Sequence, residues 1–163
     1  MIFVTLGSQK FQFNRLLKEI DRLIEENEIT EEVFAQIGYS DYQPRNYSYK
    51  SFLDRDEYNE IMSRCDKVIT HGGTGAIIGA LKKEKKVIAV PRLAKYGEHV
   101  DDHQLQITQQ FKELRFILSV NDVSELINQI KYLNDIKFEK YISNTNSIIE
   151  SIDEYLYSIR EGK

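Results

Sequence analysis

Apolar residues along this chain fall into two alternating kinds of segment: short β-branched runs, and longer stretches in which they recur at helical spacing. IFVTL at 2–6 is a strand-like run stopped by Gly7, and Phe13, Leu16, Leu17, Ile20, Leu23 and Ile24 then mark one face of a helix. EVFAQI at 32–37 predicts a second strand. A Tyr-rich polar segment containing Pro44 leads to a weak strand at 49–53 and a short helix at 56–64. KVIT at 67–70 and VIAV at 87–90 read as strands buried on both faces, separated by His71-Gly72-Gly73-Thr74-Gly75 and a helix at 76–83. Pro91 ends the second of these in a polar loop reaching about His99.

Farther along, Ile107, Phe111 and Leu114 predict a helix over 100–114, FILS at 116–119 gives a last strand, and Asp122 with Glu125 reads as a capping box. The helix it opens runs to about Leu133. Ile142, Ile148, Ile149, Ile152, Tyr155, Leu156 and Ile159 trace a long amphipathic helix in the tail. This succession predicts an α/β fold: a mainly parallel sheet with helices on both faces, joined by right-handed crossovers. Residues 1–163 are expected to form one domain, with 139–163 as a C-terminal helical extension.

Composition narrows the picture. A chain of 163 residues has the length of one domain, and a hydrophobic fraction of 41% with 8 Phe and 10 Tyr supports a core. No apolar run approaches the roughly 18–20 residues needed to span a bilayer, and the N-terminus has no secretory pattern. The formal charge of −4 disfavours broad nucleic-acid binding. The single cysteine, Cys65, cannot form an internal disulfide and reads as a small buried hydrophobe, so a cytoplasmic location is expected.

Two segments carry candidate chemistry. The Gly-rich turn at 71–75 lies between a buried strand and a helix, where unpaired N–H groups and the positive end of the helix dipole attract anions and glycine lets a phosphate approach the backbone. Thr74 adds a hydroxyl, and His71 either orients a phosphate or donates to a carbonyl. The turn lacks the P-loop Gly-Lys-Ser/Thr ending and the GxGxxG dinucleotide pattern. The loop from Pro91 to Gln104 opens on the same sheet edge, where open α/β sheets bind ligands. Glu98, Asp101, Asp102 and Gln104 offer partners for hydroxyls, and Arg92 or Lys95 a cation for a pyrophosphate. Capping of the following helix is the alternative role for Asp101 or Asp102, and His99, Asp101, Asp102 and His103 also allow a metal reading, which the sugar-nucleotide reading displaces. Tyr39, Tyr42, Tyr47 and Tyr49 read as cover for the sheet edge rather than a stacking platform for bases.

FVTLGSQKFQFNRLL (3–17), ITHGGTGAIIGALKKEKKVIAVP (69–91) and GEHVDDHQL (97–105) together resemble the donor-binding half of the GT-B glycosyltransferases of family 28. Nearest in pattern are small bacterial capsule and exopolysaccharide subunits, themselves similar to the catalytic subunit of the eukaryotic two-subunit UDP-GlcNAc transferase. The resemblance implies a Rossmann-like GT-B half, with Gly72, Gly73, Thr74 and Gly75 by a donor diphosphate and Asp102, His103 and Gln104 by the donor sugar. KSFLD at 50–54 resembles a uracil-reading segment and implies Leu53, while Gly7 and Ser8 would face the cleft. Two positions depart from the family pattern: a ribose-binding glutamate is replaced by Gly79, and a serine by Ala76.

The expectation is then a UDP-sugar-binding subunit of an inverting transferase, without metal or cofactor, that adds a sugar to a lipid-linked saccharide. A membrane-associated partner subunit would carry the acceptor site, supply the base and recruit this chain to the inner face of the membrane. The rival readings are a UDP-sugar-binding accessory protein without chemistry of its own, and a nucleoside-monophosphate hydrolase using a GGxGTxxE turn, whose Thr and Glu positions are Ala76 and Gly79 here.

Overall fold

In the computed structural model, which describes residues 1–144, six short strands form one sheet in the order β3-β2-β1-β4-β5-β6. The strands are β1 (Ile2–Thr5), β2 (Val33–Gln36), β3 (Ser48–Lys50), β4 (Lys67–His71), β5 (Lys86–Val90) and β6 (Leu118–Ser119). Every pairing is parallel. The helices are α1 (Asn14–Glu25), α2 (Arg55–Arg64), α3 (Thr74–Lys82), α4 (His103–Glu113) and α5 (Leu126–Tyr132).

Strand alternation divides the core into two. Ile2, Val4, Ile69, Ile88 and Val90 face α1 and α5, meeting Leu16, Leu17, Ile20, Leu23, Leu126 and Ile130. Phe3, Val68, Val87 and Ala89 face the other way, onto Met62, Ile77, Ala80 and Leu81 of α2 and α3, with Ile107 and Phe111 of α4 against them. Cys65 is fully buried in this second layer, as its sequence context suggests, and burial pushes its thiol pKa up.

Several boundaries shift for identifiable reasons. The helix placed at 76–83 begins at Thr74, so the Gly-rich turn runs directly into its first turn. The helix placed at 100–114 begins at His103, leaving Leu114 as an exposed C-cap. Asp122 accepts from Ser124 N at 3.0 Å, and a 3-10 turn (Val123–Glu125) precedes α5 in place of the expected capping box. A reciprocal box forms instead at α2, where Asp54 accepts from Asp56 N and Glu57 N while the Glu57 side chain accepts from Asp54 N. The tail helix lies almost wholly outside the described residues; within them, 137–144 carries no regular element and Ile142 is exposed.

The link between the parallel strands β2 and β3 has no crossover helix. Asp21 of α1, itself buried, takes that organising role: its carboxylate accepts from Tyr42 OH at 2.6 Å and from Arg45 N and Asn46 N at 2.8 Å. Burial opposes its charge, yet these hydrogen bonds prevail and hold its pKa below the usual value. Tyr42, Tyr47 and Tyr49 pack against the core beneath this loop, with Tyr47 OH donating to Leu17 O, whereas Tyr39 is half-exposed against Phe52. Asp21→Ala is expected to cost about 1–3 kcal/mol, because three donors lose a charged acceptor. A urea denaturation midpoint indistinguishable from wild type would remove this role for Asp21.

Candidate functional site

The sheet order reverses between β1 and β4: β1 continues through α1 toward β2, and β4 through α3 toward β5. The ends of these two strands therefore diverge above the sheet and leave a crevice, as in other doubly wound sheets. An open cleft of about 380 Å³ occupies it, lined by Gly7, Ser8, Gln9, His71, Gly73, Thr74, Gly75, Ala76, His103, Gln104 and Ile107. Eight of the sequence-derived candidates are in that lining. Gln9, Ala76 and Ile107 were not among them, although Gln9 directly follows the Gly7-Ser8 turn.

Both turns are shaped around one imidazole. His71 is buried, and a Cβ at Gly73 would stand 2.3 Å from its Nε2 while one at Gly7 would stand 2.7 Å from its Cε1. Gly7 also has a positive φ of 71°. Gly72 is closed by packing as well: a Cβ there would meet Gln104 Cβ at 2.8 Å. Gly75, by contrast, would meet nothing within 4 Å. Gly73 is the N-cap of α3 and no side chain caps that helix, so the N–H groups of its first turn are left to whatever occupies the cleft.

Gln104 locks the turn to the neighbouring loop. Its Oε1 accepts from Gly72 N and from Arg92 N, both at 3.0 Å, and the residue is almost wholly buried. That oxygen is committed to the backbone and does not face a ligand.

Three candidates are corrected by their surroundings. Arg92 does not face the cleft as a counter-ion for a pyrophosphate. It is buried, donating from Nη1 to Phe11 O at 3.0 Å and Gln12 O at 2.9 Å and from Nη2 to Leu6 O at 2.8 Å, with the guanidinium 4.9 Å from the Phe13 ring. Burial lowers its pKa to about 10, which leaves it charged at neutral pH. Glu98, the substitute suggested for ribose recognition, is equally buried: its carboxylate holds Arg15 Nε at 2.7 Å and accepts from Leu93 N at 3.0 Å. Leu53 lines a separate groove between β2 and α2, and its N–H donates to Gln36 Oε1.

The remaining loop residues gather at the rim. Asp102 accepts from Ala94 N at 2.7 Å, Asp101 accepts from His103 N at 3.1 Å, and His99 sits between Phe11 and His103. Lys95, the other proposed cation, stacks on Tyr96. Among the described residues lining the cleft there is neither Lys nor Arg. Attraction for an anion therefore rests on the N-terminus of α3 and on backbone donors.

The fold is a Rossmann-like α/β unit whose crevice presents the N-terminus of α3. Residues 1–155 match the glycosyltransferase family 28 C-terminal domain, and the chain belongs to that family. It is 30% identical over 101 residues to the UDP-N-acetylglucosamine transferase subunit ALG13 of Candida albicans, covering 61% of this chain and 31% of that protein. The Candida glabrata counterpart is 35% identical over 95 residues, covering 57% and 46%. The chain thus spans less than half the length of these relatives. Among solved structures, the solution structure of ALG13 superposes with a TM-score of 0.59 at 18% identity over 93% of both chains. Acinetobacter baumannii MurG gives 0.55 at 17% identity over 82% of this chain and 41% of its own. At these identities the structural likeness establishes the fold.

Two outcomes follow from the packing of His71. Gly73→Ala is expected to cost about 1–3 kcal/mol, since the new methyl must displace a buried ring, whereas Gly75→Ala should leave the denaturation midpoint within about 0.5 kcal/mol of wild type or above it. Equal effects of the two would contradict this assignment.

Burial, with a smaller contribution from the Arg92 charge, also lowers the His71 pKa to about 4. The unfolded chain therefore binds a proton that the folded chain refuses as pH falls below about 6.5, and stability declines toward pH 4. That decline should reach about 3 kcal/mol from this group and shrink in His71→Gln, as read from denaturation midpoints between pH 7 and 4.

Proposed function

We propose that this chain is the UDP-sugar-binding subunit of a two-subunit inverting glycosyltransferase that extends a lipid-linked saccharide in capsule or exopolysaccharide synthesis. One observation carries the reading: the cleft at the strand-order reversal, where the uncapped N-terminus of α3 and the turns around Gly7 and Gly73 leave backbone donors for a diphosphate. The likeness to UDP-N-acetylglucosamine transferase subunits supports uridine diphosphate as the carrier. Gln104 Nε2, His103 and Ser8 are the groups we assign to the donor sugar, and Thr74 to the phosphates. Leaving-group stabilisation is the contribution we assign to this chain.

The base that deprotonates the acceptor hydroxyl is assigned to a partner subunit, as are the acceptor site and membrane attachment. No described helix is long and apolar enough to cross a membrane. A GT-B reaction also takes place between two facing halves, and this chain corresponds to one.

Calorimetry of the purified chain with UDP and UDP-hexoses tests donor binding. Gly75→Val should lower UDP affinity at least tenfold without lowering stability by more than about 1 kcal/mol, because its side chain enters open space in the cleft. No UDP binding by wild type at millimolar ligand, or equal affinity in the variant, would contradict the site. Reconstitution with the partner then separates a catalytic from an accessory role. Turnover that requires both chains supports the first, and a partner fully active alone supports the second.

A further inference from the structure

His99 and Asp101 have no part in the reading above; with His103, which that reading assigns to the donor sugar, they come together where the loop after β5 enters α4. One ligand-capable atom from each lies within 4.8 Å of those of the other two. His99 is held from several sides: its ring lies 5.1 Å from that of Phe11 and 4.7 Å from that of His103, and its Nε2 is 3.1 Å from Gln9 Oε1. Its side chain is only 7% exposed.

His99 Nε2 lies against Gln9 Oε1, and its Nδ1 accepts from Asp101 N at 3.4 Å and lies 3.3 Å from Asp101 Oδ1. The same Oδ1 contacts His103 Nδ1. Two imidazole nitrogens thus converge on one carboxylate oxygen.

We propose that His99, Asp101 and His103 bind one divalent transition-metal ion of the zinc type. Two imidazole nitrogens and one carboxylate oxygen suit zinc, cobalt or nickel, whereas magnesium and calcium favour shells made of oxygen. Ligands about 2.0–2.1 Å from a tetrahedral ion stand about 3.3 Å apart, as His99 and Asp101 do at 3.3 Å, whereas the direct His103–Asp101 contact is closer than that and has to open to admit an ion. Asp101 and His103 are both exposed, so their direct contact lies at the surface where it can be exchanged for an ion. Gln9 supplies the outer partner that metal-bound histidines characteristically use to fix their tautomer.

Three protein ligands leave a fourth position for water or for an oxygen of a ligand. His103 also lines the cleft, which has neither Lys nor Arg in its described lining, so the ion would bring positive charge to the rim of an anion site. This last step rests on the UDP-sugar reading; the metal site itself does not.

The test is titration of the untagged full chain with Co²⁺ and then Zn²⁺, without nucleotide. The expected result is one saturable Co²⁺ equivalent with visible d–d bands, displaced by Zn²⁺. His99→Ala, Asp101→Asn and His103→Ala should each weaken binding at least tenfold while keeping the wild-type circular dichroism spectrum. The chain has 3 histidines and buried His71 is the third, so the NMR ring signals of His99 and His103 should move on Zn²⁺ addition while those of His71 stay. Absence of saturable binding at millimolar metal would overturn the proposal, as would one equivalent retained by the His99→Ala/His103→Ala double variant. Ring signals that respond to pH and not to Zn²⁺ would overturn it too, assigning the cluster to a protonated ion pair. Because no nucleotide is present, failure here leaves UDP binding untouched, and failure of UDP binding leaves this result standing.

Discussion

The buried guanidinium of Arg92 is the interaction on which the upper edge of this molecule depends. It gathers the carbonyls of Leu6, Phe11 and Gln12 from the segment after β1 while its own backbone lies at the end of β5, two strands away. Its planar fork and permanent charge suit several carbonyls at once, and Phe13 covers its face. The backbone N–H of the same residue shares Gln104 Oε1 with Gly72 N. The loops after β1, β4 and β5 are thereby joined by two side chains. The buried Glu98–Arg15 pair adds a second brace from α1.

Within that frame the cleft is shaped by what is missing from side chains. Gly7 and Gly73 leave room for the His71 ring, and the ring in turn fixes both turns. A larger residue at either position would move the imidazole, and the first turn of α3 with it. Because burial keeps His71 neutral near pH 7, the floor of the cleft carries no charge of its own from this residue. The positive potential in the cleft is that of oriented backbone dipoles at the start of α3, whose positions the fold sets.

This arrangement divides labour in a way that fits one half of a two-part transferase. On the proposed reading, the described residues would hold the leaving diphosphate and the base for an acceptor would come from elsewhere. The His99–Asp101–His103 cluster stands at the boundary between crevice and solvent, where a further ligand or a facing domain would meet it. The His99 imidazole is ordered by Phe11 and Gln9 from the loop after β1, so inter-loop packing also orders this part of the rim.

The sequence by itself determined the layout. Apolar runs and helical spacing, with turn and cap residues between them, marked the six strands and five helices of the described residues, although β3 and β6 are shorter than predicted and β3 is largely exposed. The Gly-rich turn between a buried strand and a helix located the cleft, since only a few residue types permit that geometry. Tertiary structure alone decided which polar residues of the 91–104 loop face it. Arg92 and Glu98 look like ligand groups in sequence, yet both are buried against loop backbone and α1 more than 75 residues away in the chain. Charge type is a local property and direction is not: whether a guanidinium meets solvent, a ligand or a carbonyl depends on distant segments that the fold brings together.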